Sequence, residues 1–391
     1  MLKILYTMNS TNSNMQRYYD FLQDKEIQTY DQLKEIVQNE QLKLKVKEDK
    51  KEPLSIIYND AESNTQEEIV RFFNGVVINR VTLKIVCYSF DKCKEDDVFD
   101  ETLDVNNLYI EPTYEGTLIR VYHTNETWHI STKKMINAIN ARWISKKSFG
   151  QLFLELFDEA LFNHLNKNYC YSFLMSHVDN SVVIKYSNNF LIHLCTVDLV
   201  ENREVEVDIG ISKNNRVKID TINHFEELKN NENSTEIGFM LIDMNYKRQK
   251  INKKIYIKYR DLWGNTNNRL YRYLHLRRHY SLLMEYLDYF KDDKDTFLKY
   301  EHYLINISNF ILDVYRSRHV SKTIQKLPFY LRDIIYKIHG MYLASKNKVV
   351  FQDVNVLLYE LDEKKFCYII NNIEKDMKKK NNREMETSEQ S

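Results

Sequence analysis

Few positions in this chain combine residue types that could do chemistry. Lys258 and Arg260 stand two apart in YIKYRDLW (256–263), a run that reads as a strand, so both side chains share one face. Two cations on one strand face can clamp a phosphate, the arginine by a forked pair of N–H groups; a solvated strand face accounts for them equally well. Arg120 alternates with Leu118 in TLIRVYH (117–123), which points it toward a pocket. Glu115-Gly116 reads either as an acid held at a turn or as the bare turn before a strand. His177 and Asp179 could form an acid–base pair, but a turn between two strands is the better reading. RLYRYLHLRRHY (269–280) interleaves Arg272, Arg277 and Arg278 with aromatics. Such a run grips single-stranded nucleic acid by charge and stacking, or forms a half-buried helix whose arginines reach out to water.

The elements that must position these residues follow from periodicity. Thr29 or Asp31 caps a helix carrying Leu33, Ile36 and Val37 at i, i+3, i+4. LKLKVKED (42–49) alternates apolar and charged residues, and PLSIIYND (53–60) is the next strand. Residues 75–90 form a hairpin broken at Asn79–Arg80, and 114–132 form a second, turning at Thr124-Asn125-Glu126. Ser148 caps a helix over 148–165. Strands are expected at 172–178, 181–186, 189–200, 237–244 and 254–263. From His279 onward the period is helical, with Leu304, Ile307, Phe310, Ile311 and Val314 on one stripe. The charged tail beyond 376 has no stripe and is expected to be disordered.

Bulk properties bound the rest. The 391 residues suffice for two domains. Lys plus Arg equals Asp plus Glu, 56 each, so any basic surface must come from local segregation of charge. Five scattered cysteines have no CxxC spacing, which argues for reduced thiols and against a zinc site; no metal ligands are assigned. The N-terminus lacks a signal-peptide core and no run is apolar enough to span a membrane, so a cytoplasmic location without membrane contact is expected.

Five segments in order resemble the nucleotidyltransferase core of viral, phage-type RNA ligases over about residues 50–275. NGVVINRVTLKIVCYSFDK (74–92) is similar to the strand pair before the family's lysine motif, with Asn74 where an arginine is usual and Lys92 retained. TYEGTLIRVY (113–122) resembles the lysine motif itself, with Glu115 and Gly116 in place but Thr113 where the nucleotide-accepting lysine belongs. YSFLMSHVDNSVVIKY (171–186) resembles the third motif, with Leu174 or Met175 in the acid's position. EIGFML (236–241) resembles the Glu-Gly motif with Glu236 one residue early, and YIKYRDLW the lysine-rich strand, with Lys258 retained and Arg260 replacing the second lysine.

The resemblance implies an α+β chain. A lead-in covers 1–50, a ligase-type nucleotidyltransferase domain of antiparallel sheets with helices 51–275, an all-helical domain 276–376, and a tail 377–391. It implies nucleotide and phosphate contacts at Lys92, Arg120, Glu236, Lys258 and Arg260. It further implies ATP with Mg²⁺ or Mn²⁺ if the chain is active, and RNA ends as partner, in host cytoplasm or virion. A hydroxyl cannot replace the amine that carries AMP as a phosphoramidate. A protein defective in self-adenylation is therefore expected, against two alternatives: an active RNA ligase using another lysine, or a virion scaffold.

Overall fold

The fold is α+β: antiparallel sheets with helices, followed by an all-helical unit. The computed structural model describes residues 15–95, 103, 108–218, 235–244 and 246–388. It divides into two compact units between Lys258 and Tyr259, earlier than the break expected at 275.

Helices α1 (Gln16–Asp24) and α2 (Tyr30–Gln38) open the first unit. Thr29 and Gln32 close a reciprocal capping box that starts α2, and Leu33 and Val37 are its buried stripe. Strands β1 (Lys45–Glu48), β2 (Leu54–Tyr58), β3 (Asn74–Asn79) and β4 (Ile85–Cys87) form the first sheet in sequential order, with α3 (Glu68–Phe72) between β2 and β3. Tyr18, Leu33, Phe72, Phe73 and Val76 form the core between this sheet and the helices. Each such side chain contributes roughly 1.5–3 kcal/mol by leaving water.

Strands β7 (Thr117–Thr124), β8 (Thr127–Thr132), β9 (Tyr169–Ser176), β10 (Phe190–Asp198) and β11 (Arg203–Val205) make the second sheet, ordered β11-β10-β9-β7-β8. Asn125 and Glu126, both at positive φ, turn β7 into β8. Alternation splits the faces of β7. Ile119 and Val121 pack with Phe153, Phe157 and Phe173 beneath α4 (Phe149–Leu154). Tyr122, with Cys170 of β9, packs against Leu54, Ile56, Val77 and Cys87 of the first sheet.

The third sheet, β12-β6-β13-β14-β5, comprises β12 (Val217–Lys218), β6 (Tyr109–Thr113), β13 (Gly238–Ile242), β14 (Arg248–Asn252) and β5 (Lys94–Glu95). Its β14–β5 pair is parallel. Ile110, Phe239, Leu241 and Ile251 form its core. Arg248 of β14 donates to both oxygens of Glu204 of β11 at 2.6 and 2.8 Å, an ion pair between the third and second sheets with both side chains under a tenth exposed.

The second unit contains helices and no strand among its described residues. It contains α6 (Arg269–Leu276), α7 (Tyr280–Tyr289), α8 (Lys294–His319), α9 (Phe329–Ser345), α10 (Phe351–Glu360) and α11 (Glu363–Ser388). Leu304, Ile307 and Ile311 on α8 and Leu331, Ile334 and Ile338 on α9 are buried at helical spacing. No helix among the described residues is long and apolar enough to cross a membrane.

Four local expectations are corrected. Residues 254–263 form a helix, α5 (Lys254–Trp263), and the strand of that region is β14, just before it. Residues 181–186 are not a strand. The helix begun at Ser148, with its capping box to Gln151, ends at Leu154 rather than continuing to 165. The expected disordered tail is helical to Ser388, and 389–391 lie outside the described residues.

Candidate functional site

The segment Thr113-Tyr114-Glu115-Gly116 crosses from the third sheet to the second: Thr113 ends β6 and Thr117 begins β7. Gly116 is required there by a close approach, since a Cβ would stand 2.6 Å from the Met175 carbonyl oxygen and 3.0 Å from the Leu174 side chain.

Glu115 organises its surroundings. The backbone N–H groups of Val183 and Ile184 donate to one carboxylate oxygen at 2.8 and 2.7 Å, and the Tyr256 hydroxyl donates to the other at 3.1 Å. The Glu115 N–H donates to the Tyr186 hydroxyl at 2.9 Å. This is why 181–186 fails as a strand despite its β-rich composition: two of its amides serve a carboxylate instead of a ladder. Burial pushes the Glu115 carboxyl above its ordinary range, and the donors offset that only in part. Tyr114, Tyr186 and Phe190 pack edge to face around the crossing, and burial lifts the Tyr186 phenol to about 12.

Beside Thr113 the third sheet brings in two more polar groups. The Ile237 N–H donates to the Thr113 carbonyl at 2.8 Å, which sets Glu236 at the end of β13. Lys253, one residue past β14 and 4% exposed, places its ammonium 3.9 Å from the Glu236 carboxylate. One oxygen of Glu236 and the Thr113 hydroxyl are buried without a hydrogen-bond partner. Spare buried acceptors of this kind are costly unless a ligand or water meets them.

The expected site residues scatter. Thr113, Glu115, Gly116 and Glu236 come together. Lys92 follows β4, its N–H bonded to the Arg71 carbonyl. Arg120 does not face an open pocket. It is fully buried and donates to the carbonyls of Gly75 and Thr132, because its face of β7 is covered by the first sheet. Lys258 and Arg260 share no face. Two helical positions are separated by about 200°, and α5 is a helix.

In the helical unit the three arginines of the basic run are engaged internally. Arg272 donates to the carbonyls of Asp261 and Leu262, and Arg278 to Glu363 and the Leu361 carbonyl. Arg277 lies over the rings of Tyr359 and Phe366. His177 caps a turn: its Nδ1 accepts from the Asp179 N–H, and its Nε2–H faces Glu155 at 3.1 Å.

Sequence reasoning missed Lys253. Gln249, Ile251 and Lys253 are all buried, so extending the alternation of β14 by one step finds it, once the strand is set at 248–252.

The neighbouring cavity, lined by Glu115, Gly116, Trp143, Phe149, Met175 and His177 among others, measures about 220 Å³. That is below the roughly 300–1,000 Å³ of ordinary ligand pockets. A second cavity of about 370 Å³ is lined in part by Tyr109, Glu111, His193, Glu206, Arg216 and Tyr246. There Arg216 already bonds Glu111 at 2.7 Å and Glu206 at 3.1 Å. Among the described residues no cluster of three or more His, Cys, Asp or Glu side chains is placed to hold a metal ion.

No family model matches the chain. The immediate-early protein ICP-46 homolog of Invertebrate iridescent virus 3 is 25% identical over 142 residues, 32% of either chain. That of Invertebrate iridescent virus 6 is 24% identical over 276 residues, 63% of this chain and 61% of the relative. The chain thus spans less than two thirds of these relatives. Similar solved structures include a proposed ATP-dependent DNA ligase from Aquifex aeolicus (12% identical, TM-score 0.41, 81% of this chain and 80% of that one) and an archaeal ATP-dependent RNA ligase (14%, 0.40, 72% and 77%). An RNA ligase from Naegleria gruberi solved with ATP and Mn is 9% identical, with a TM-score of 0.32 over 40% of this chain and 52% of that one. The chain therefore has viral immediate-early proteins as sequence relatives and ATP-dependent ligases as structural neighbours.

Proposed function

We propose that this chain is a viral RNA-ligase-like protein that forms no covalent nucleotide adduct and keeps a non-covalent contact with nucleotide or RNA. One observation carries the reading: the residue between the two sheets that should offer an amine is Thr113, whose hydroxyl is buried and has no base to activate it. Glu115 supports it, because both of its oxygens are committed to the protein's own donors. The Thr113 hydroxyl and the Glu236 carboxylate, which lies 3.9 Å from the Lys253 ammonium, are the buried polar groups a polar ligand would meet there. The experiment is incubation with labelled ATP and Mn²⁺ followed by denaturing electrophoresis, with filter binding to single-stranded RNA alongside. The expected outcome is no labelled band and RNA binding that weakens as salt rises.

A second reading, an active ligase using a different lysine, draws on Lys253. It is a buried amine at the same end of the third sheet as Thr113, next to a carboxylate. A labelled adduct mapping to Lys253 would replace the first reading with the second. Absence of both adduct and RNA binding would favour a scaffold.

A further inference from the structure

Arg120 presents a charge problem. Its guanidinium is fully buried, its partners are two backbone carbonyls, and its Nε has none. Among the described residues no carboxylate pairs with it. An arginine cannot shed its proton to escape burial, and an uncompensated buried charge is strongly unfavourable. The ionisable groups whose titration it influences are the Cys87 and Cys170 thiols and the Tyr122 phenol, all fully buried.

These groups are not equivalent. The Cys170 thiol donates to the Cys87 sulfur at 3.5 Å, and the Ser131 hydroxyl lies 3.8 Å from that same sulfur. Burial raises all three groups. For Cys87 alone, the Cys170 hydrogen bond, the Arg120 charge and Ser131 more than offset it, holding the thiol below its ordinary value. Cys170 and Tyr122 stay well above their ordinary values.

We propose that Cys87 and Cys170 form a redox-active dithiol between the first and second sheets. Cys87, which accepts the Cys170 S–H, is the attacking sulfur, Cys170 is the resolving thiol, and hydrogen peroxide converts the pair to a disulfide. The Cys87 sulfur attacks one peroxide oxygen, the O–O bond breaks, and hydroxide leaves, giving a sulfenic acid. Cys170 then attacks that sulfur. The S–O bond breaks, the S–S bond forms, and the oxygen departs as water with the Cys170 proton. The two sulfurs close from 3.5 Å to about 2.05 Å. Peroxide is small enough to reach them through local opening.

The test treats the Cys93→Ser chain, which lacks the partly exposed thiol, with graded hydrogen peroxide and follows intact mass and peptide maps. The expected product has lost two hydrogens and contains a Cys87–Cys170 linked peptide. Cys195 is an internal control, because it is as deeply buried but lifted to about 12. Cys87 should react at least about a hundredfold faster than Cys195. Cys170→Ser should stop at a sulfenic acid on Cys87 that dimedone traps. Oxidation of Cys195 or Cys367 ahead of the pair, or a Cys87 that oxidises without linking, overturns the proposal. Should Cys170→Ser fail to fold, the Cys93→Ser chain alone decides. A Cys87–Cys170 linked peptide in the peroxide-treated Cys93→Ser chain upholds the assignment, and its absence overturns it.

Discussion

Replacing Glu115 separates what its oxygens do from what its charge does. Glu115→Ala strands the Val183 and Ile184 N–H groups and the Tyr256 hydroxyl. Hydrogen bonds to a charged group are each worth about 1.5–3 kcal/mol, but Glu115 is only half-buried and its ionised form is itself disfavoured. About 1 kcal/mol for each of the three bonds is therefore the fitting figure, near 3 kcal/mol in all. For a unit of this size that lowers Tm by about 6–12 °C. Glu115→Gln keeps a carbonyl oxygen for both backbone donors and removes the charge, so its cost should be under about 1 kcal/mol.

The pH dependence has a definite sign. A carboxyl whose folded value is raised binds its proton more tightly in the native state. Its contribution is complete below the ordinary value of 4.5 and is lost as pH rises through the raised one. Glu115→Gln should abolish that slope. Urea unfolding followed by fluorescence is the assay, in a Trp263→Phe background so that Trp128 and Trp143 report on the first unit alone. An Ala variant within about 0.5 kcal/mol of the parent, or a Gln variant as damaged as Ala, would refute the reasoning.

Other outcomes follow from the same structure. Gly238→Ala puts a Cβ 2.0 Å from the Ile251 carbonyl oxygen, which cannot retreat without opening the β13–β14 ladder; a loss of about 3 kcal/mol or more should appear in thermal melts. His319 and His339 stack with centroids 3.9 Å apart, and burial, then His339 and Arg318, lower the His319 value. That contribution is present above the ordinary 6.5 and lost as pH falls below it, so the helical unit should melt earlier at acid pH and His339→Phe should flatten the dependence. Arg277→Ala and Arg278→Ala should leave the salt slope of RNA binding unchanged, because both guanidinia are engaged internally, whereas Lys253→Met should lower it, roughly 0.7 for a lost single-strand phosphate contact.

What the sequence reveals here is mostly local. The capping boxes at Thr29 and Ser148 and the hairpin over 117–132 need only neighbours within a few residues, and all are present. KIYIKYRDLW alternates like a strand yet is helical, since its buried positions, Tyr256, Leu262 and Trp263, are chosen by tertiary packing rather than by intrinsic preference. The alternation that sets Arg120 beside Leu118 cannot say which face of β7 another sheet covers. The thiol pair joins residues 83 apart in the chain, and the Glu115 clasp joins an acid to amides 68 and 69 positions on. No window of sequence contains either contact.

The Arg248–Glu204 pair has a use beyond holding two sheets together. Arg248 opens β14 and Lys253 follows its other end, five residues or about 17 Å away along an extended chain. A strand can slide along its neighbours, and a slip of one residue would turn every side chain to the opposite face. Lys253 would then leave Glu236. An ion pair in which one guanidinium nitrogen reaches both carboxylate oxygens at the far end works as an indexing pin: it selects the one register in which the buried ammonium meets its carboxylate. The position of the amine is thus set from a strand's length away, by a residue that never touches the site.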